Sequence, residues 1–158
     1  MSNPFTPPSA RVSDGPPEKG SPYKAVLFGL LVDWGGTLAA GVVLSVIYAA
    51  TLAASEMPPE DIEVALRNIP VDSWVSLLGM AVGALFSGIG GYVCARVARH
   101  NEFVLGAVLA VLSVSLGLLV GSEQYSFFEH LGLSVLSFLA VMFGVRFGAA
   151  RNGAQGME

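Results

Sequence analysis

Trp74 to Ala98 reads WVSLLGMAVGALFSGIGGYVCARVA, an apolar stretch in which Arg96 is the single ionised side chain. A run of about 20 apolar residues crosses the hydrocarbon region of a bilayer when it is helical. The stretch therefore predicts a helix that spans a membrane. Asp72 or Ser73 stands where a side chain caps the start of such a helix, and Trp74 suits the membrane interface.

Three further apolar segments flank this one, and the four together fill most of the chain. We expect the spans at about 28–54, 74–98, 103–121 and 125–147. The chain is 53% hydrophobic and 13% charged, with a mean hydropathy of +0.65, whereas soluble domains carry about 25% charged residues. Short polar connections at 99–102 and 122–124 make the joined spans antiparallel neighbours. The sequence predicts an all-α integral membrane bundle of four transmembrane helices.

The longest connection, 55–73, has a pattern typical of one short amphipathic helix at about 59–69. Pro59 suits the first turn, and acidic residues follow where the helix dipole favours them. Apolar residues then recur at helical spacing until Pro70. These are Ile62, Ala65, Leu66 and Ile69. We expect this helix to cover the ends of the spans; a lid over a site and a docking surface for a partner are the alternatives.

Both ends of the chain are predicted to lie outside the bundle. Residues 1–22 are rich in proline and poor in large apolar groups, so they cannot bury enough surface to offset their ordering entropy. We expect a disordered cytoplasmic tail there and a flexible tail at 152–158, which leaves 23–151 as the transmembrane domain. The first apolar stretch is far longer than the core of a secretory signal, so we expect it to be retained as an anchor.

The basic residues predict the orientation. Of the 8 Lys and Arg residues, all except Arg67 fall on one side of a four-span topology. Arg67 shares its connection with several acidic residues. Because cytoplasmic loops are enriched in Lys and Arg, we expect both termini in the cytoplasm of a cell with the bundle in its inner (plasma) membrane. The lipid bilayer is then the main partner, and no nucleic acid is expected.

Small residues recur at four-residue intervals along the second span, a pattern of the glycine-zipper type. They are Gly79, Gly83, Ser87, Gly91 and Ala95. Small residues allow helix backbones to approach each other in a membrane, so we expect the second span to be the central helix. Gly41 and Ser45 belong to a similar stripe on the first span. We expect these stripes to pack within one bundle; the alternative is a homo-oligomer formed through an unused stripe.

Asp33 is the main ionisable residue within a predicted span, where such a group costs at least about 2.5 kcal/mol. If the first span begins at Lys24, Asp33 lies about 13 Å along it. If Trp34 marks the interface instead, Asp33 lies at the wet edge, which fits a span of ordinary length. We favour the second depth, which predicts an interfacial ion pair of Asp33 with Arg96 or Arg146. A carboxylate that couples protons or cations to transport is the alternative.

Glu129 and His130 form a second polar pair, near the outer end of the fourth span. Adjacent residues point about 100° apart on a helix, so these two cannot easily ligate one ion together. We interpret them as solvated interface residues; a proton relay or a metal site is the alternative. Cys94 is the only cysteine, and we expect a small buried apolar residue there.

The chain shows no nucleophile elbow, no metalloprotease motif and no phosphate-binding loop, so we expect no enzyme, no cofactor and no metal. Its segment Gly90–Arg99, GGYVCARVAR, resembles the GGYxxARxAR helix end of a set of uncharacterised small bacterial inner-membrane proteins with four helices. The resemblance covers spans two and three. It implies the same four-helix membrane fold and brings no activity.

The sequence alone thus favours a structural role. The predicted protein is a small bundle that assembles with itself or joins a larger membrane complex. The alternative is a small transporter or channel, coupled to protons or cations, that uses Asp33. An Asp33→Asn variant separates these hypotheses, because the first predicts weaker assembly or stability and the second predicts lost transport from folded protein.

Overall fold

A computed structural model describes residues 20–121 and 126–155, and every regular element in this part of the chain is a helix. The helices are α1 (Pro22–Ala54), α2 (Pro59–Arg67), α3 (Trp74–Ala98), α4 (Glu102–Gly121) and α5 (Phe127–Gln155). Four of them, all except α2, are long and apolar enough to cross a membrane. The all-helical class and the four candidate spans are therefore confirmed, and they indicate a multi-pass membrane protein.

The ends of α3 have clear local causes. At its start, the Ser73 hydroxyl oxygen accepts a hydrogen bond of 3.2 Å from the backbone N–H of Ser76, which satisfies a donor that the first turn leaves open. At its end, Arg99 has a φ of 53°, and a residue in this left-handed region stops a helix. Asn101 has a φ of 48°. These two residues turn the chain directly into α4.

α1 begins before the predicted residue 28. Pro22 occupies its first turn, where the missing N–H of proline costs no hydrogen bond. The helix ends at Ala54, and Glu56 follows with a φ of 61°. α2 lies within the predicted 59–69, and an exposed ion pair of 2.7 Å between Glu63 and Arg67 spans one of its turns.

α5 extends beyond the predicted fourth span, so the prediction of a flexible tail is wrong for residues 152–155. Asn152 gives the physical reason, because its amide bonds to two other helices. Its Nδ2 donates to the carbonyl oxygen of Ala95 at 2.9 Å and to Glu102 Oε1 at 3.1 Å, while its Oδ1 accepts from Arg96 Nη1 at 2.9 Å. Predictions for 1–19 and 156–158 lie outside the described residues.

α3 is the central helix of the bundle, as predicted. It packs against α1 on one side and α5 on the other, and these two interfaces are the most extensive in the structure. α4 packs mainly against α5, with smaller contacts to α3 and α1. The helices therefore surround a common interior to which α1, α3, α4 and α5 all contribute.

The buried core occupies one half of this bundle, where α1 and α4 begin and α3 and α5 end. Its members are Ala25, Cys94, Ala95, Ala98, Leu109, Ala110, Val141 and Val145. Close backbone contact requires glycine here: a Cβ on Gly91 would lie 2.2 Å from the carbonyl oxygen of Val141, and one on Gly144 would lie 1.8 Å from that of Gly88. We call this the packed half of the bundle.

The predicted small-residue stripes make close contact only in part. Gly91 packs as expected, whereas Gly83 has an ordinary contact, since its Cβ would lie 3.7 Å from Thr37 Cγ2. Gly79 and Gly41 face open space, and Ser45 is exposed. The expectation of close packing is therefore wrong at Gly79 and Gly41. The half of the bundle that contains them is the more open one.

Candidate functional site

Asp33 lies in the interior of the bundle, and only 3% of its surface is exposed. The Ser87 hydroxyl of α3 donates a hydrogen bond of 2.7 Å to Asp33 Oδ1. The Ser113 hydroxyl of α4 donates to Asp33 Oδ2. Both serines are themselves buried. Each oxygen of the carboxylate therefore accepts a hydrogen bond from a different helix.

The fourth long helix joins the same cluster through Ser137. Its hydroxyl oxygen lies 3.3 Å from that of Ser87. A serine hydroxyl has one proton to donate, and Ser87 gives its proton to Asp33, so Ser137 is the donor in this pair. We call Asp33, Ser87, Ser113 and Ser137 the polar cluster. It holds one residue from each of α1, α3, α4 and α5.

The polar cluster lies at one common level along the bundle. At a rise of about 1.5 Å per residue, Asp33 is about 17 Å along α1 from Pro22, and Ser113 is about 17 Å along α4 from Glu102. Ser87 is about 17 Å before the end of α3 at Ala98. Because α4 has 20 residues and is about 30 Å long, this level is near the middle of its length.

Two glycines allow α1 to approach α3 closely enough to place Asp33. A Cβ on Gly90 would lie 2.9 Å from Asp33 Cβ and 2.7 Å from the carbonyl oxygen of Gly29. A Cβ on Gly29 would in turn lie 2.8 Å from Leu109 Cδ2 and 3.0 Å from Cys94 Cβ. This tight layer lies on the side of Asp33 that faces the packed half, so the interior is closed there.

The expected ion pair of Asp33 with Arg96 or Arg146 differs from the structure. Arg96 follows Ser87 by about 13 Å along α3, and its guanidinium donates to Asn152. Arg146 is exposed on α5. The cause of the difference is depth: α1 begins at Pro22, so Asp33 lies inside the bundle rather than at its edge. The structure thus corresponds to the deeper of the two placements considered for Asp33.

A cavity of about 330 Å³ opens on the other side of Asp33, in the more open half. The polar cluster forms part of its wall. The remaining wall is largely apolar and comes from all four long helices, for example Trp34, Met80, Val120 and Leu136. None of the residues that line this cavity is basic.

A second cavity of about 170 Å³ shares Ser113, Ser137 and Gly117 with the first. His130 and Ser134 line its far end. The structure therefore brings His130, but not Glu129, toward the polar cluster. His130 is half-buried, and its Nδ1 lies 3.2 Å from the carbonyl oxygen of Ser126.

Glu129 has a local role at the start of α5. Its Oε2 accepts hydrogen bonds from the backbone N–H of Ser126 at 2.7 Å and from the Ser126 hydroxyl at 2.8 Å. The backbone N–H of Glu129 lies 3.4 Å from the same hydroxyl oxygen. This reciprocal arrangement is a capping box, which satisfies open donors at a helix start. It accounts for Glu129 without a metal or a relay.

Within the described residues, no group of three or more His, Cys, Asp or Glu side chains could hold a metal ion. Cys94 is buried in the core, as its sequence position predicts. The polar cluster offers a different set of atoms, namely two carboxylate oxygens and three hydroxyl oxygens. Such a set can bind a proton or a hard cation that prefers oxygen ligands.

Sequence reasoning did not identify Ser113 and Ser137 as partners of Asp33. Ser113 is a small residue on span three, and Ser137 lies in an apolar run, so neither stands out locally. The available signal is the level of Ser113, which lies about 17 Å from the same end of the bundle as Asp33. That comparison requires the helix boundaries, which the sequence gives only to within a few residues.

No family model matches this chain, and no solved structure matches it.

Proposed function

We propose that this chain is a multi-pass inner-membrane protein that binds a proton or a monovalent cation at Asp33 and couples it to transport. The observation that carries the proposal is the burial of one carboxylate among hydroxyls from the three other long helices. Ionisable residues are costly within a bilayer, and they commonly mark the path of an ion or a proton there.

The charge of the site favours a cation. Moving an unpaired carboxylate from water into an apolar interior is unfavourable, so the group takes up a proton or binds a positive ion. The wall of the cavity contains no basic side chain that could neutralise the carboxylate in place of such an ion. A single carboxylate balances one positive charge, so the bound inorganic ion is monovalent.

Access to the site is from one side. The glycine layer formed by Gly29 and Gly90 closes the bundle toward the packed half, and the cavity opens on the opposite side of Asp33. A membrane site that faces one side in a given conformation is what alternating access requires. A second conformation, in which the packed half loosens, would then release the ion on the other side.

The proposed topology follows from the basic residues. Lys24, Arg99 and Arg146 belong to the packed end, so the positive-inside rule places this end in the cytoplasm. The cavity then faces the outer side, and α2 lies against the outer surface of the membrane. In this proposal the half-buried residues Ile62, Ala65 and Leu66 form the apolar side of α2, which faces the membrane.

Transport by reconstituted protein tests the proposal. We expect proteoliposomes loaded with a pH-sensitive dye to show proton movement when a sodium or potassium gradient is imposed. Asp33→Asn should abolish this movement while the protein remains folded by circular dichroism. Asp72→Asn, which changes an exposed acid next to α3, is the matched control and should leave it intact. Equal proton movement in Asp33→Asn and wild type would refute the proposal.

A structural and self-assembling role is the second candidate, and the outer part of α1 favours it. Leu38, Val42 and Val46 are 59%, 65% and 63% exposed, and Gly41 beside them faces open space. Small residues on an uncovered apolar helix allow another helix to approach in a membrane. This candidate predicts that Gly41→Leu reduces cross-linked dimers in native membranes and that Asp33→Asn affects stability without any change in ion flux.

A further inference from the structure

The cavity beside Asp33 has a largely apolar wall, and the binding of a bare proton or metal ion does not require such a wall. Its volume of about 330 Å³ is within the range of small-molecule pockets, which starts at about 300 Å³. Most of its wall is apolar, and a carboxylate lies at its inner end. A ligand that fills this space must therefore have an apolar body.

The carboxylate retains capacity for a ligand after its serine contacts are counted. Two carboxylate oxygens offer about four acceptor positions. Ser87 and Ser113 occupy one on each oxygen. The remaining positions can accept from N–H donors of a ligand, and such charge-assisted bonds are among the stronger hydrogen bonds.

We propose that the cavity binds an organic ammonium ion whose charged group pairs with Asp33 and whose apolar body contacts the surrounding wall. This inference rests on the proposed function and names its substrate class. The ammonium ion and the proton or inorganic cation neutralise the same carboxylate, so they compete for it. Together with the alternating access proposed above, competition of this kind would exchange one for the other across the membrane.

Other ligand classes fit the cavity less well. An organic anion would face the Asp33 carboxylate without any basic side chain to balance it. A neutral apolar molecule would bury the carboxylate further and leave its open acceptor positions unpaired, which is unfavourable. An organic ammonium ion satisfies both the charge and the apolar wall.

Gly117 offers a way to fill the cavity without disturbing the carboxylate. It lines both cavities, and a Cβ built on it meets open space, so a larger side chain would extend into the free volume. Gly132 on α5 also faces open space but lines neither of them. Gly117→Leu and Gly132→Leu therefore form a matched pair that differs in whether the cavity is filled.

Calorimetric titration of the purified protein with phenethylammonium chloride tests the inference, with protein-free micelles as the blank. We expect saturable binding to the wild type and to Gly132→Leu. Binding should weaken by about tenfold or more in Asp33→Asn, through the lost ion pair, and in Gly117→Leu, through lost volume. Proton movement in proteoliposomes should persist in Gly132→Leu, since Gly132 lines neither cavity and the carboxylate and its serines are unchanged.

The outcomes separate this inference from the function on which it rests. Wild-type protein that moves protons but does not bind phenethylammonium would overturn the inference and leave the proposed function in place. Equal binding by the wild type, Asp33→Asn and Gly117→Leu would show that phenethylammonium partitions into the micelle. This result would also overturn the inference. Loss of the Asp33 dependence of proton movement would instead refute the proposed function. Vesicles of phosphatidylethanolamine are then added as a competitor for phenethylammonium, with vesicles of phosphatidylglycerol as the control. Competition by phosphatidylethanolamine alone would indicate that the ammonium group belongs to a lipid headgroup. Competition by neither kind of vesicle would indicate a free amine.

Discussion

Ser87 donates a hydrogen bond of 2.7 Å to Asp33 although 54 residues separate them in the chain. The contact joins α3 to α1 in the interior, where both side chains are buried. Ser113 makes the equivalent bond to the other carboxylate oxygen from α4. The relative positions of three helices are thus tied to one carboxylate, so each serine should matter for both stability and ion binding.

Ser113→Ala should destabilise the folded protein, because it removes a donor from the buried carboxylate. We expect a loss of about 1–2 kcal/mol in the free energy of unfolding, the range for a bond of this kind in a membrane interior. Denaturant titration in mixed micelles measures it. Ser115→Ala is the control: Ser115 is exposed, and its hydroxyl donates to the carbonyl oxygen of Val111 in its own helix. An equal effect of both substitutions would contradict a special role for the Asp33 contact.

Much of this fold could be predicted from the sequence. The four long helices follow from apolar length alone, and the central position of α3 follows from its small residues. The depth of Asp33 could not be predicted with the same certainty. It depends on whether α1 begins near Pro22 or near Trp34, and apolar residues on both sides of Asp33 allow either.

The polar cluster is harder still to predict, because it is made by contacts between distant parts of the chain. Ser113 lies 80 residues from Asp33 in sequence. No local period relates the two, and serine is also common as a small packing residue in membrane helices. Only the packing of α4 against α1 and α3 shows that the Ser113 hydroxyl meets a carboxylate.

Gly91→Ala should destabilise the bundle, because its Cβ would lie 2.2 Å from the carbonyl oxygen of Val141. The backbones of α3 and α5 would have to separate, and overpacking of this kind costs about 1–3 kcal/mol. The melting temperature in detergent, followed by circular dichroism, reports the loss. Gly79→Ala belongs to the same predicted stripe on α3 but faces open space, so it should cause no loss. Destabilisation by Gly79→Ala of the same size would mean that the open half closes in the membrane.

Asn152→Ala should loosen the packed end of the bundle. The Asn152 amide bonds to Ala95, Glu102 and Arg96, so its removal leaves partners in α3 and α4 without these bonds. We expect a loss of about 1–3 kcal/mol in the free energy of unfolding, together with faster amide exchange at the end of α5. Asn68→Ala is the control, since Asn68 is exposed and its Nδ2 donates only within its own segment, to the carbonyl oxygen of Val64. Its effect should stay within about 0.5 kcal/mol.

The orientation in the membrane can be tested with two single cysteines placed at opposite ends of the bundle. Glu63 of α2 and Gly153 of α5 are both exposed, so a cysteine at either position should react readily once the reagent reaches it. The orientation proposed from the positive-inside rule has Gly153 in the cytoplasm. A membrane-impermeant maleimide should therefore label Glu63→Cys in intact cells and Gly153→Cys only after the membrane is permeabilised. Cys94 is buried with 0% exposure, so it should stay unlabelled in both samples until the protein is denatured. The opposite labelling order would place the cavity beside Asp33 on the cytoplasmic side, and the coupled ion would then enter the site from the cytoplasm.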